Sequence, residues 1–404
     1  MVFVLTLGVF LSDCEDDPVI VANGSGSTPE GVKAVADANN EFALDLYSQF
    51  KGDGGNIFYS PYSISVALAM TSEGARDQTA EEMQSVLHFP ADVSVRRPNF
   101  ASIYNEINKR DKSYLLSTGN ALWAQKDYNF LDDYMDVVLK YYGGNVTNLD
   151  FVGDAEGSRQ MINSWIEEQT NDKIKDLIPA GVLGAYTRLV LTNAIYFKGT
   201  WVKQFEKEDT REEDFTIGGG ETVKVDMMVL TGEEARFNYT ETDEIQVLEM
   251  PYDGNELSML VILPKGDTLD VVEDSLTAEK LDGWRDSLTT QNVRVYFPKF
   301  KFETKYFMVE TLSAMGMPTA FTSNADFSGM DGTRNLFIQS VIHQAFVEVN
   351  EEGTEAAAAT AIVMAMSAVS QDKVFRADHP FIFIIQQRET RNILFMGRVD
   401  NPGA

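Results

Sequence analysis

The chain has 404 residues, 44% of them hydrophobic, which is enough for a large core in one or two domains; no internal repeat suggests a solenoid. Acidic residues outnumber basic ones by 62 to 33, and the net charge of −29 argues against nucleic acid or an anionic membrane as partner and otherwise reads as solubility. The single cysteine, Cys14, excludes an intrachain disulfide and a cysteine-based metal site, and three histidines (His88, His343, His379) leave no basis for a His-rich metal centre.

Residues 2–11, VFVLTLGVFL, are apolar, too short to span a bilayer and of signal-peptide length, although no Lys or Arg precedes them. Cys14 after LSD resembles a lipoprotein cleavage site, with Asp13 a poor fit for the small residue expected there. EDDPVIVANGSGSTPEG then reads as a flexible tether. Residues 1–31 are thus expected to be an export or lipoprotein-like segment and tether, placing the protein outside the cell or on its surface, with a lipid on Cys14 as its one link to a membrane. The alternative is a buried or disordered N-terminal strand.

The folded region is expected over 32–404. It opens with VKAVADANNEFALDLYSQF, where Val35, Phe42, Leu46 and Phe50 recur at helical spacing. In GDGGNIFYSPYSISVALAM a short strand and a Ser-Pro break lead into a helix starting near Ser63, with Pro61 in the turn before it and serines for capping. DAEGSRQMINSWIEEQTNDKI is a further amphipathic helix. LVLTNAIYF, EIQVLEM, LSMLVILP, VRVYFPKFKFET and FIFII read as strands, and GGGE at 218–221 as a hairpin turn. Helices dominate the first 170 residues and strands the remainder, which predicts an α+β chain with mainly antiparallel sheet in one domain.

Enzymatic signatures are missing. No GxSxG elbow or Walker-type loop occurs, and no spacing singles out a carboxylate pair among the acids. His343, in a strand pattern, and His379, before Pro380, read as hydrogen-bonded structural residues.

EEGTEAAAATAIVMAM at 351–366 is the stretch that fits least. Ala favours helix, yet both flanks are rich in β-branched and aromatic residues, so the run is an odd helix, a loop or a strand not yet formed. Together with NIFYSPYSISVALAMTSEGARDQTAEEM, LTNAIYFKGTW, ADFSGM, HQAFVEVNEEGTEAAAAT and ADHPFIFII…NILFMGRVDNP, it makes the chain resemble the serpins, with matches in order from about residue 32 to Pro402. The resemblance implies an α+β serpin fold of three mainly antiparallel sheets, eight or nine helices and an exposed reactive-centre loop. It also implies a metastable inhibitor of serine proteases, not an enzyme, that forms a covalent acyl complex with its target. No cofactor and a monomeric state are expected, and no Lys/Arg run suggests a heparin-like site.

In that mechanism the cut loop enters the main sheet as a new central strand, so its hinge must be mobile first and buried later. Glu351, Glu352, Gly353, Thr354, Glu355, Ala356, Ala357, Ala358, Ala359 and Thr360 match the hinge. Read as a strand, Thr354, Ala356, Ala358, Thr360, Ile362 and Met364 share one face, small and uncharged, with Glu355 on the other and Gly353 free to turn. Ser60, Ser63, Asn193 and His343 match the family's shutter beneath the centre of the sheet; Trp201, with Lys299 and Glu351 as an ion pair, matches the breach at its top. Counting from Glu351 puts the scissile bond at Ser367–Ala368, or one residue earlier at Met366–Ser367. No Arg or Lys lies between Glu351 and Lys373, so an elastase-, subtilisin- or chymotrypsin-like target fits better than a trypsin-like one. A non-inhibitory binding or carrier protein of the same fold is the alternative.

Overall fold

In the computed structural model the described residues are 21–109, 112–233, 235–266, 268–354 and 373–403. Thr28 opens the first helix, Pro29–Phe50, by accepting the Gly31 N–H on its side chain, and Pro29 stands at the first helical position, where its missing N–H costs nothing. Order reaches further back than the expected start at Val32. Ala22 is buried, and the Asn105 amide pairs with both its N–H (2.8 Å) and its C=O (2.7 Å), so the tether expected through residue 31 is packed from about Ala22.

Pro61–Glu73 is buried on every side, as its nearly unbroken apolar and small-residue sequence requires. It starts at Pro61, not near Ser63: Ser60 is the N-cap and its hydroxyl accepts the Ser63 N–H at 3.1 Å. This central helix packs between Leu189–Thr200 and Tyr114–Gln125 on one side and Ile393–Val399 on the other.

The main sheet runs Phe300–Phe307, Ser340–Asn350, Leu189–Thr200, Tyr114–Gln125, Asn145–Leu149. Its two central strands are parallel, with Ser340–Phe346 opposite Val190–Tyr196. Above that pairing they part, and Gly353–Thr354 lies between them, antiparallel to both. A second sheet runs Ile57–Tyr59, Ile393–Val399, Phe381–Gln387, Leu257–Pro264, Ile245–Pro251, Arg236–Glu241 and then Thr289–Pro298. The last of these is shared: Thr289–Asn292 pair with Arg236–Tyr239, and Val295–Pro298 pair with Met227–Leu230 of a third sheet. That third sheet contains Arg211–Thr216, Thr222–Leu230 and, parallel to Thr289–Pro298, the strand Lys373–Arg376.

Phe381–Gln387 and Ile393–Val399 are buried along their whole length, which explains their continuous rather than alternating apolar sequence. Phe58 stacks on Phe383 and Phe395, with ring centroids 5.6 and 5.2 Å away, at the seam with the main sheet. A smaller core on the outer face of the main sheet holds helix Ala155–Gln169 through Ile162 and Ile166 against Val190, Ala194 and Ile342. Gly119 permits that approach: a Cβ there would lie 2.9 Å from Ile166 Cδ1.

Several expectations change in detail. VRVYFPKFKFET is two strands, Thr289–Pro298 and Phe300–Phe307, because Pro298 ends the first ladder and the Lys299 N–H turns to the Asp226 carbonyl. GGGE does form the turn between Arg211–Thr216 and Thr222–Leu230, with Gly220 at φ 81°. Among the described residues there are ten α-helices, against the eight or nine expected, counting the four-residue turn Ser328–Asp331. Among those residues, too, no helix is long and apolar enough to cross a membrane.

Candidate functional site

The site is built where the two central strands separate. Asn350 ends its strand by folding its side-chain oxygen back to accept the N–H groups of Glu352 (3.0 Å) and Gly353 (3.3 Å), an Asx turn that reverses the chain. Gly353 and Thr354 then run back between the strands. At Gly353 a Cβ would lie 2.1 Å from the Gly199 carbonyl oxygen, so the position demands glycine for close backbone approach, a different reason from the free rotation expected of a hinge.

Aromatic residues floor this opening. Trp201 stacks on Tyr252 at 4.5 Å, its indole N–H donates to the Asn350 carbonyl at 3.1 Å, and its backbone N–H donates to the Glu352 carbonyl at 2.9 Å. The Tyr252 hydroxyl lies 2.7 Å from Thr354 Oγ1. Lys299 and Glu351 meet as expected, at 3.3 Å. Burial would push the Glu351 carboxyl up, but hydrogen bonds from its own backbone and from Thr210 (2.8 Å), with the Lys299 ammonium, hold it below the usual carboxylate range. Lys207 pairs with Glu352 at 2.6 Å. Each acid of the Glu351–Glu352 pair thus has its own cation.

Below the opening, Ser60, Ser63, Asn193 and His343 come together in one buried hydrogen-bonded cluster. The Ser60 N–H donates to His343 Nε2 (3.1 Å), and the Ser60 hydroxyl donates to the Leu394 carbonyl (2.6 Å). Because Nε2 accepts, the proton resides on Nδ1, which bonds Asn193 Oδ1. The Asn193 amide donates to the Ser63 hydroxyl at 2.6 Å and to Asn120 Oδ1; the Ser63 hydroxyl donates to Asn120 Oδ1 at 2.8 Å. His343 is fully buried, and burial pushes its imidazolium pKa down to about 3, so it is neutral. Tyr306, His343, Asn193 and Asn120 are register partners across four strands, and the cluster ties this row to the start of the central helix.

Asn120, Tyr252, Thr210 and Asn350 escaped the sequence reading. Asn120 lies on Tyr114–Gln125, a strand whose polar, Gly119-containing half gave no strand signal; nothing local marks the others. His379 is hydrogen-bonded, as expected, to Asp378 (2.9 Å) and the Pro264 carbonyl (2.8 Å). Glu355, Ala356, Ala357, Ala358, Ala359, Thr360, Met366, Ser367, Ala368 and the Cys14 segment lie outside the described residues.

Comparison with known proteins places this geometry in a family. The model for the serpins (serine protease inhibitors) matches residues 37–402. An uncharacterized serpin-like protein of Thermococcus kodakarensis is 45% identical over 92% of this chain and 86% of its own length. Leukocyte elastase inhibitor of Xenopus tropicalis is 42% identical, over 91% of this chain and 99% of its own. Among solved structures, human thyroxine-binding globulin complexed with thyroxine superposes with a TM-score of 0.84 at 31% identity, over 93% of this chain and all of that one. The chain belongs to the serpin family, and the three sheets and helices described above are the serpin α+β fold.

Proposed function

We propose that the protein is a suicide-substrate inhibitor of a serine protease, of elastase-, subtilisin- or chymotrypsin-like specificity. One observation carries the reading: Gly353–Thr354 already occupies the top of the gap between two parallel strands, in the orientation a full inserted strand would need. The protease serine would attack the carbonyl of Ser367, or of Met366, releasing the amine of the next residue and leaving an acyl-enzyme. Residues from Thr354 onward would then enter the gap, exchanging one parallel ladder for two antiparallel ones, with each new hydrogen bond worth roughly 1 kcal/mol net. Fourteen inserted residues, at about 3.3 Å each, would carry the protease roughly 45 Å. A displacement of ~1 Å among catalytic groups costs about 100-fold in rate, so deacylation would stop.

The Trp201–Tyr252 stack and the Lys299–Glu351 pair would hold the hinge until cleavage, and the Ser60–Ser63–Asn193–His343 cluster would re-form its bonds as the strands part. Similarity to an elastase inhibitor supports the target class; similarity to a thyroxine-binding globulin keeps a binding or carrier role as the second reading. Incubation with subtilisin, elastase, chymotrypsin and trypsin, followed by denaturing electrophoresis and mass spectrometry, tests it. A covalent adduct, with a released fragment beginning at Ala368 or Ser367, is expected. Loop cleavage without an adduct by every protease would favour the carrier. Export with lipidation of Cys14 is proposed separately, and a Cys14→Ser variant that stays in the membrane fraction would refute the anchor.

A further inference from the structure

The two central strands of the main sheet end their pairing at one row. Ser117, Tyr196, Phe346 and Glu303 are register partners across four strands, and Tyr196 with Phe346 is the last pair before the strands part around Gly353–Thr354. By the two-residue alternation of a strand, Tyr196 and Phe346 share the outer face with Ala194 and Ile342. The segment that follows helix Ala155–Gln169 crosses this row on that face. Asn171 Nδ2 stands 3.5 Å from Ser117 Oγ, and Lys305 Nζ donates to the Asp176 carbonyl at 2.8 Å. Between them the Lys173 ammonium stands 5.8 Å from the centre of the Tyr196 ring and 6.0 Å from that of Phe346. From Asn171 to Asp176 the segment thus meets all four strands in turn.

Its backbone is not relaxed. Asn171, Asp172 and Asp176 have φ of 52°, 59° and 48°, left-handed values that Asn and Asp tolerate better than most residues but do not prefer. The segment keeps its shape through its attachments. Ile174, Leu177 and Ile178 are fully buried in the small outer core, and Asn163 bonds both the N–H (2.9 Å) and the C=O (3.0 Å) of Ile178. Lys173 differs from these anchors in reaching both sides of the fork. Lys301 also approaches the Phe346 ring, at 5.5 Å, but it comes from Phe300–Phe307, the strand on Phe346's own side.

We propose that Lys173 is a latch across the fork, a positioning residue that sets when the loop enters the main sheet. A cation held near two aromatic rings is attracted to both, so parting the strands takes the ammonium away from at least one of them. Thr354 stands opposite Val349 on one side and Gly199 on the other. Continuing both antiparallel registers would bring Ala357 opposite Phe346 and Tyr196 together. Ala357 is therefore the residue that would replace the last pair, and its methyl group would pass beneath Lys173. This role rests on the insertion mechanism proposed above; the ring contacts do not.

Two measurements separate the latch from the mechanism it serves. In the uncleaved chain, amide hydrogen exchange around Tyr196 and Phe346 reads the opening of the fork. Lys173 is exposed, so substitutions there leave the core intact. Lys173→Met, which keeps the stem and removes the charge, should speed this exchange about tenfold, the factor that two such contacts supply. Lys173→Arg, which restores a cation, should return it to the parent rate, and Lys301→Met should not speed it. In protein cut within its loop, the growth of the unfolding midpoint with time reads insertion, and Lys173→Met should shorten its half-time by a similar factor. Unchanged exchange in Lys173→Met, or no recovery in Lys173→Arg, overturns the latch. Faster exchange with an unchanged half-time overturns its role in timing. Faster exchange with no growth of the midpoint in either protein overturns the insertion mechanism, and the timing role falls with it.

Discussion

At Gly353 and His343 the consequences of single atoms can be followed through to measurable quantities. A Cβ on residue 353 would stand 2.1 Å from the Gly199 oxygen, a backbone atom that cannot rotate away. Gly353→Ala is therefore expected to drive the hinge out of the gap, lowering the unfolding midpoint and raising the protease susceptibility of the loop, as limited proteolysis would register. His343 is neutral in the fold, with a pKa of about 3, against about 6.5 in an unfolded chain. As pH falls below 6.5 the unfolded state takes up this proton first, so stability drops by about 1.4 kcal/mol per pH unit down to about pH 3. His88 works in the opposite sense: its hydrogen bond to Asp45 raises its pKa, so its contribution is present at acid pH and fades as pH rises through the folded value. His343→Gln should flatten the acid limb between pH 6.5 and 4.5 in denaturant titrations, whereas His88→Gln should not. Unchanged pH dependence in His343→Gln would mean that the imidazole is charged in the fold.

At the scale of elements, the central parallel pair is what an incoming strand would have to separate in the proposed mechanism, and helix Ala155–Gln169 lies across it. Ile162 is fully buried in the small core that holds this helix to Val190, Ala194 and Ile342. Ile162→Ala should cost about 2–5 kcal/mol, and, if the cleaved loop inserts as proposed, it should speed the accompanying gain in thermal stability, because the cover lifts more easily. A cleaved protein with the same insertion rate as the parent would show that the helix does not oppose opening. If the loop inserts as proposed, Ala358→Arg should turn an inhibitor into a substrate, because a charge would have to enter the sheet, read as a rising ratio of cleaved protein to covalent complex. The strands FIFII, LSMLVILP and LVLTNAIYF are legible in sequence because they are buried over continuous runs, and the first helix because its apolar residues keep a 3.6 period. Tyr114–Gln125 is not: Ser117, Gly119 and Asn120 suit a packed helix and a polar cluster rather than β propensity. Ser60, Ser63, Asn193 and His343 are legible only by resemblance and Asn120 not at all, since Ser63, Asn120 and Asn193 are joined by bonds spanning 57 to 130 residues of chain.

For the whole molecule, charge acts everywhere at once and no single contact reveals it. A net charge of −29 repels itself in the compact state, and the Debye length falls from about 10 Å at 0.1 M salt to about 3 Å at 1 M. The unfolding midpoint should accordingly rise between those concentrations with sodium chloride, and a fall would mean that surface ion pairs outweigh the repulsion.

The two fully buried strands near the C-terminus give a proteolytic cut a peculiar outcome. Phe381–Gln387 and Ile393–Val399 sit inside the second sheet, flanked by Ile57–Tyr59 and Leu257–Pro264. Severing the chain at the proposed bond would therefore divide the polypeptide but not the particle. The released piece would persist as a small subunit of a heterodimer, held by strand pairing and apolar contact with no covalent link, and native mass would be unchanged while a denaturing gel resolves two chains. Once heat parts them, refolding becomes a bimolecular reaction that dilution defeats.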